Sequence, residues 1–135
     1  LSIDGAKWFV EHRVRGVGVD MQAIDHILYT YAADHGPGPY VPRICEEYEE
    51  QFGHPAKDDF PEWEPCHDIL MANNVMGIEN LGGDLDKVTN QRFLFCAFPL
   101  RWYMGDGTIV RAVAFVPSDR IDRSVPDKQY PYGVY

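Results

Sequence analysis

The sequence predicts an α/β fold, and three local observations predict it. A helical run at residues 2–14 feeds a short apolar strand at 17–20. A second helical run at 66–74 feeds a second short strand at 75–81. Two further apolar segments, 92–104 and 108–116, flank Gly105-Asp106-Gly107, as the strands of a hairpin flank its turn. Helices that run directly into strands are the halves of an α/β layer.

In SIDGAKWFVEHRV (2–14), Ser2 suits a helix cap and Asp4 suits the positive end of the helix dipole. Ile3, Ala6, Val10 and Val14 recur at helical spacing, and Gly16 is expected to close the run as its C-cap. VGVD (17–20) then reads as a buried strand ending on an acid.

Residues 26–65 have a different character. They hold GPGPYVP (36–42), EEYEEQF (46–52), HPAKDDFPEWEP (54–65) and six of the ten prolines, with too few aliphatics for a core of their own. Only Ile44, Tyr48 and Phe52, stepping by four, predict a short helix, with the acids at 46–50 on its solvated face. The segment therefore reads as an excursion from the domain: a lid, an arm covering a partner, or a disordered stretch.

Order returns at Pro65. CHDILMANN (66–74) is a helix with proline in its first turn and Asn73-Asn74 as its stop. VMGIENL (75–81) is a strand ending on Glu79. RFLFCAFPLRWYM (92–104) has the apolar character of a strand buried on both faces, and TIVRAVAFV (108–116) returns as its partner. The tail 117–135 loses periodicity but keeps Tyr130, Tyr132 and Tyr135.

Composition bounds the function. With 45% hydrophobic and 24% charged residues, the chain falls in the globular range, and 135 residues make one ordinary domain. A net charge of −9 without a basic stripe argues against nucleic acid or an anionic membrane as partner. No uninterrupted apolar run reaches the ~18 residues of a membrane-spanning helix, and no signal-peptide pattern opens the chain. Cys45, Cys66 and Cys96 form no close pair and read as reduced thiols, so a cytoplasmic location is expected. The first residue is Leu1, not Met, as in a processed or truncated product.

Among five histidines, His12 reads as a solvated side chain of the first helix. His35 and His54 lie in the excursion without a regularly spaced ligand partner, and His26 beside Asp25 would point to the opposite face on extended backbone. His67 differs. It lies in the first turn of a helix whose next element ends on Glu79, and the helix packs back along the strand it feeds, which brings the two together. An imidazole and a carboxylate converging at one end of a sheet suit half of a divalent-metal site, but on spacing alone a plain His–carboxylate hydrogen bond is the commoner arrangement. A carboxylate in a buried strand costs several kcal/mol (~) unless paired or metal-bound, which adds weight to Glu79. Asp20 and Asp25 read first as caps of the following turn, with a site beyond the strand end as the alternative. Cys96 reads as a small core hydrophobe, and neither Gly82-Gly83 nor Gly105–Gly107 matches a phosphate loop.

Taken in order, these segments resemble the C-terminal half of the cyclase family of metal-dependent hydrolases, which includes kynurenine formamidase, isatin hydrolase and trans-dienelactone hydrolase. The resemblance rests on Gly18-Val19-Asp20 with Asp25, on His67, on Ile78-Glu79-Asn80-Leu81, on Pro99-Leu100, and on Gly105-Asp106-Gly107 with Arg111-Ala112-Val113-Ala114. It covers residues 1–25 and 65–116, and the eleven residues between His67 and Glu79 fit the family's separation.

The resemblance implies a swivelling β/β/α sandwich, of which this chain is only the C-terminal part. Residues 1–116 would be that portion and 26–64 a long insertion, while the Tyr-rich tail 117–135 itself suits an arm laid on a neighbouring subunit. It implies His67 and Glu79 as ligands of a divalent metal, zinc or manganese, in an enzyme that cleaves an amide or lactone bond of a small substrate, cyclic and aromatic ones included. In this mechanism the metal activates water and polarises the carbonyl, and a histidine from elsewhere moves the proton.

Three departures qualify this. Ala23 stands where the family has Ser, and the 26–64 excursion exceeds that of compact members. The family's N-terminal H-x-G-T-H-x-D-x-P-x-H motif, which carries its principal ligands and catalytic histidine, does not occur here. The chain is therefore expected to supply no catalytic residue itself and to act as the small subunit or C-terminal fragment of a hydrolase whose second chain carries that motif, in a homo- or hetero-oligomer. The alternative is a non-catalytic binding or scaffolding member of the same fold. Tyr40, Tyr48, Phe52, Phe60 and Trp63 suit the wall of an aromatic pocket and equally suit a partner-covering surface.

Overall fold

The computed structural model describes residues 1–31, 43–105 and 107–126. Helices and small sheets are mixed along the chain, which divides into two compact units, Leu1–Asn80 and Leu81–Tyr135.

The first unit begins with α1 (Ile3–Glu11), and the Ser2 side chain accepts the Gly5 N–H at 3.0 Å as the expected cap. The helix closes earlier than Gly16. Arg13 turns into the left-handed region (φ 55), and the Arg13 and Val14 N–H groups return to the carbonyls of Val10 and Phe9. Gly16 instead opens β1 (Gly16–Gly18), which pairs in parallel with β2 (Met76–Ile78) in the register Gly16↔Met76, Val17↔Gly77, Gly18↔Ile78. Only Val17 of β1 is buried, so this strand is not the fully buried one expected.

Between these strands the chain forms α2 (Ile27–Tyr31), α3 (Ile44–Phe52), α4 (Ala56–Asp59) and α5 (Pro65–Ala72). The expected helix at 44–52 is α3. Its acids are exposed, and Arg43 reaches Glu46 and Glu50 at 2.9 and 3.0 Å. The helices α2 and α4 escaped sequence reading because they are short and rest on ring packing. Phe60 stacks on His26 with centroids 5.0 Å apart and meets Tyr29 and Tyr48 edge-on, while Tyr48 also packs on Phe52. Leu28 and Ala56 are buried here, so the excursion is a small packed cluster. Tyr40 lies outside the described residues.

Proline opens α5 at its first position, and Asn74 ends the turn in the left-handed region (φ 56), as the Asn73-Asn74 stop predicts. The apolar core of the unit is Ala6, Val17, Ile24, Cys66, Leu70 and Val75, joined by Phe9, Val10 and Ile69 from α1 and α5. Gly77 is required by space: a Cβ there would lie 2.4 Å from Ile24 Cδ1.

In the second unit, β3 (Leu94–Pro99) pairs antiparallel with β4 (Val110–Phe115), from Leu94↔Phe115 to Pro99↔Val110. Two expectations are corrected. The pairing stops at Pro99↔Val110, so residues 100–109 connect the strands in place of a tight Gly-Asp-Gly turn, and Asp106 itself lies outside the described residues. Nor is β3 buried on both faces: Leu94 is 64% and Phe98 57% exposed, with Phe115 of β4 also 57% exposed, and among the described residues this sheet has two strands. Cys96 is half-buried. The tyrosines of the tail lie outside the described residues. Among the described residues, no helix is long and apolar enough to cross a membrane.

Candidate functional site

The candidate site forms where the chain leaves the carboxyl ends of the two parallel strands, the usual position of a ligand crevice in an α/β sheet. After β1 the chain runs through Val19–Ile24, tied to the other strand's exit by Val19 N–H to Ile78 O and Asn80 N–H to Met21 O, each 2.9 Å. This run ends on Asp25, while β2 ends immediately before Glu79. The N-terminus of α5 supplies His67.

Helix α5 lacks a cap of its own. Glu64, at the N-cap position, adopts the left-handed conformation (φ 45, ψ 50) and makes no side-chain cap bond. The first-turn N–H groups still need acceptors. Asp25 provides them: Oδ1 accepts the Cys66 N–H at 2.8 Å, and Oδ2 accepts the His67 N–H at 2.9 Å. The Asp25 side chain is fully buried. Burial alone would push its carboxyl up, but the Cys66 and His67 donors outweigh it and hold the group below its ordinary value of 3.8. The reading of Asp25 as a cap of its own following turn is thus corrected. At that turn His26 Nδ1 accepts the Leu28 N–H at 3.2 Å, and Asp25 serves a helix far along the chain.

The imidazole of His67 lies between two carboxylates. Nδ1 is 2.8 Å from Asp25 Oδ2, and Nε2 is 3.2 Å from Glu79 Oε1. Glu79 Oε1 also accepts the Ile24 N–H at 2.8 Å, so its position is fixed by the residue next to Asp25. The predicted pair is therefore brought together, although Glu79 sits just past its strand and is partly exposed, not buried within it. His67 and Glu79 face a cleft of about 390 Å³ whose lining also includes Gln22, Asp25, Thr30 and Glu64. Thr30 Oγ1 donates to Glu64 Oε1 at 3.3 Å across one wall.

The remaining sequence candidates lie elsewhere. Asp20 is exposed and does not line the cleft. His12 is exposed, stacked on Trp8 at 3.8 Å, and His54 lies 3.4 Å from Asp59. His35 lies outside the described residues. Tyr48 packs on both Phe52 and Phe60, and none of the three lines the cleft. Sequence reading missed the attachment of Asp25 to His67. One signal was available: Glu64-Pro65 offers no Ser, Thr, Asp or Asn to cap α5, so an acceptor had to come from a distant segment.

Asp25 stands on the far side of the imidazole from Glu79. Among the described residues, no three His, Cys, Asp or Glu groups gather around one point as a complete metal site would require. Comparison with family models, with curated proteins and with solved structures finds no match to this chain.

Proposed function

We propose that this chain is one component of a divalent-metal-dependent hydrolase, with His67 and Glu79 as two of the ligands. The observation that carries the reading is the facing pair on the cleft wall, His67 Nε2 and Glu79 Oε1 at 3.2 Å. Zinc holds imidazole nitrogen and carboxylate oxygen at about 2.0–2.2 Å, so neighbouring ligands of a tetrahedral centre stand about 3.3 Å apart. The pair fits that edge, and its nitrogen and oxygen donors suit zinc or manganese. Such an ion, when bound, supplies Lewis-acid activation of a carbonyl and of water, the chemistry of amide or lactone cleavage.

The chain's own residues hold this half-site. The Ile24 N–H orients Glu79, and α5 carries His67 to the cleft. The missing ligands and the proton-moving histidine are assigned to a second chain, which would complete the swivelling β/β/α sandwich. Support for that chain comes from the β3–β4 ribbon, whose large apolar side chains are exposed and whose two strands are too few for independent stability. A cytoplasmic, oligomeric enzyme acting on a small substrate belongs to the same reading.

A second reading, a non-catalytic binding or scaffolding module, draws on a specific feature. Asp25 and Glu79 both accept backbone N–H groups, so the trio also ties three segments of chain together. Metal analysis separates the two. The purified complex of this chain with its partner chain, carrying either Glu79 or Glu79→Gln, is compared for bound zinc and manganese and for hydrolysis of amide and lactone substrates. Loss of metal and of turnover with an unchanged circular dichroism spectrum supports the enzyme. Equal metal content in the two proteins overturns it.

A further inference from the structure

We propose that Asp25 is a positioning residue: by accepting the Nδ1 proton of His67, it fixes the imidazole in the tautomer whose bare Nε2 faces Glu79 and the cleft. The argument is one of hydrogen-bond polarity. Asp25 Oδ1 already accepts the Cys66 N–H at 2.8 Å, and Oδ2 already accepts the His67 N–H at 2.9 Å. Backbone amides can only donate, so Asp25 meets this helix end as an acceptor on both oxygens. The ring nitrogen 2.8 Å from Oδ2 must therefore present its hydrogen, which places the proton of a neutral ring on Nδ1 and the lone pair on Nε2.

The arrangement leaves little freedom. The Asp25 side chain has no exposed surface and follows the fully buried Ile24, so it cannot swing toward water. One oxygen, Oδ2, receives both the main-chain N–H and the ring of His67, which ties the side-chain torsions of that residue to its own backbone. The same carboxylate replaces the cap that Glu64 does not provide. A single acid thus sets the start of α5 and the direction of the Nε2 lone pair, and the second effect has no local sequence signature.

The Nε2 lone pair is directed at a carboxylate oxygen 3.2 Å away, an arrangement that calls for a cation or a proton between them. Here the inference rests on the reading of His67 and Glu79 as a metal pair, and it adds the residue that prepares the nitrogen for the ion. Loss of a carboxylate behind a ligating histidine lowers metal affinity by about 10–100-fold.

The test uses the full chain labelled with 15N in histidine and freed of metal, observed by long-range 1H–15N correlation while the pH is raised. The expected result is that the last ring proton of His67 resides on Nδ1. A last proton on Nε2 overturns the proposal, and this measurement needs no variant to fold. Asp25→Ala leaves the Cys66 N–H, the His67 N–H and the His67 ring Nδ1 without this acceptor. In that variant the remaining proton is expected on Nε2, and zinc affinity is expected to fall about 10–100-fold. An unmoved proton in a folded variant counts against Asp25. Zinc titrated into the wild-type chain distinguishes the two readings. If the Nδ1 proton is present but zinc leaves the Nε2 resonance unmoved, the metal assignment fails while the positioning role of Asp25 stands.

Discussion

Asp25 and Cys66 lie 41 positions apart, yet the Asp25 carboxylate caps the helix that Cys66 helps to begin, accepting its N–H at 2.8 Å. This long-range cap is the main polar tie between the strand exit and α5. Asp25→Ala leaves the Cys66 and His67 donors without their acceptor in a largely buried setting, at a cost on the order of 3 kcal/mol. Urea unfolding monitored by circular dichroism should show the midpoint fall with little change in slope. A midpoint within error of wild type would show that water replaces the carboxylate without loss.

The same contact makes stability sensitive to acid. The Asp25 carboxyl is raised by burial but lowered more by the Cys66 and His67 donors, so its folded value lies below the ordinary 3.8. A carboxylate whose value is depressed by folding stabilises the native state above its unfolded value, and that contribution is lost as pH falls through the folded value. Thermal midpoints should therefore drop as pH is lowered from about 4. Asp25→Asn should flatten that part of the profile, and an identical acid limb in the variant would assign the effect to other groups.

The Cys66 thiol sits in the same corner, fully buried in the apolar core. Burial, and then the neighbouring Asp25 carboxylate, push it up to about 12. Since thiolate is the reactive form, Cys66 should resist iodoacetamide in the native protein at neutral pH, whereas the half-buried Cys45 and Cys96 are modified more readily. Peptide mass spectrometry after timed labelling reads the order directly. Labelling of Cys66 as fast as Cys96 would mean that α5 opens readily.

How much of this was legible in the sequence depends on the range of the interaction that decides each feature. The caps and stops of α1 and α5 are local: Ser2 bonds three residues ahead, Pro65 fits the first turn, and Asn74 takes the left-handed conformation that ends the helix. These were readable. Gly16 misled because Arg13, a residue with no preference for positive φ, makes the turn instead. The four residues of α4 carry no periodicity, and its neighbourhood is held by the rings of Tyr48 and Phe60. His67 and Glu79 were legible as a pair because helix and strand are consecutive. Asp25 was not, because the pairing of β1 with β2 places it there, and no residue near Asp25 announces α5 as its partner.

Gly77 should tolerate no side chain. An added Cβ would lie 2.4 Å from Ile24 Cδ1 and 3.2 Å from Met71 Cε, and Ile24 is fully buried with no open space to turn into. Gly77→Ala should cost about 1–3 kcal/mol, as overpacking does. Because the Ile24 N–H holds Glu79, the displacement should also loosen the His67–Glu79 pair. Removing the clashing methyl with Ile24→Val should restore most of the loss, and a double-mutant cycle measures the coupling. Strict additivity of the two substitutions would show that the strand itself shifts to make room.

The exposed ribbon leads to the last expectation. Leu94, Phe98 and Phe115 are all more than half exposed, and Leu94 pairs with Phe115 across the ladder. These residues contribute little to folding of the isolated chain but form an apolar surface of the kind that drives association. Leu94→Lys combined with Phe98→Lys should change unfolding free energy by less than about 1 kcal/mol. The same pair should abolish association, whether with a second chain or with copies of this one. Sedimentation velocity across a concentration series checks this: the wild-type chain should shift to larger species as concentration rises, and the variant should remain a monomer. A wild-type chain that stays monomeric, or a variant that associates equally well, would remove the ribbon from an interface between copies of this chain.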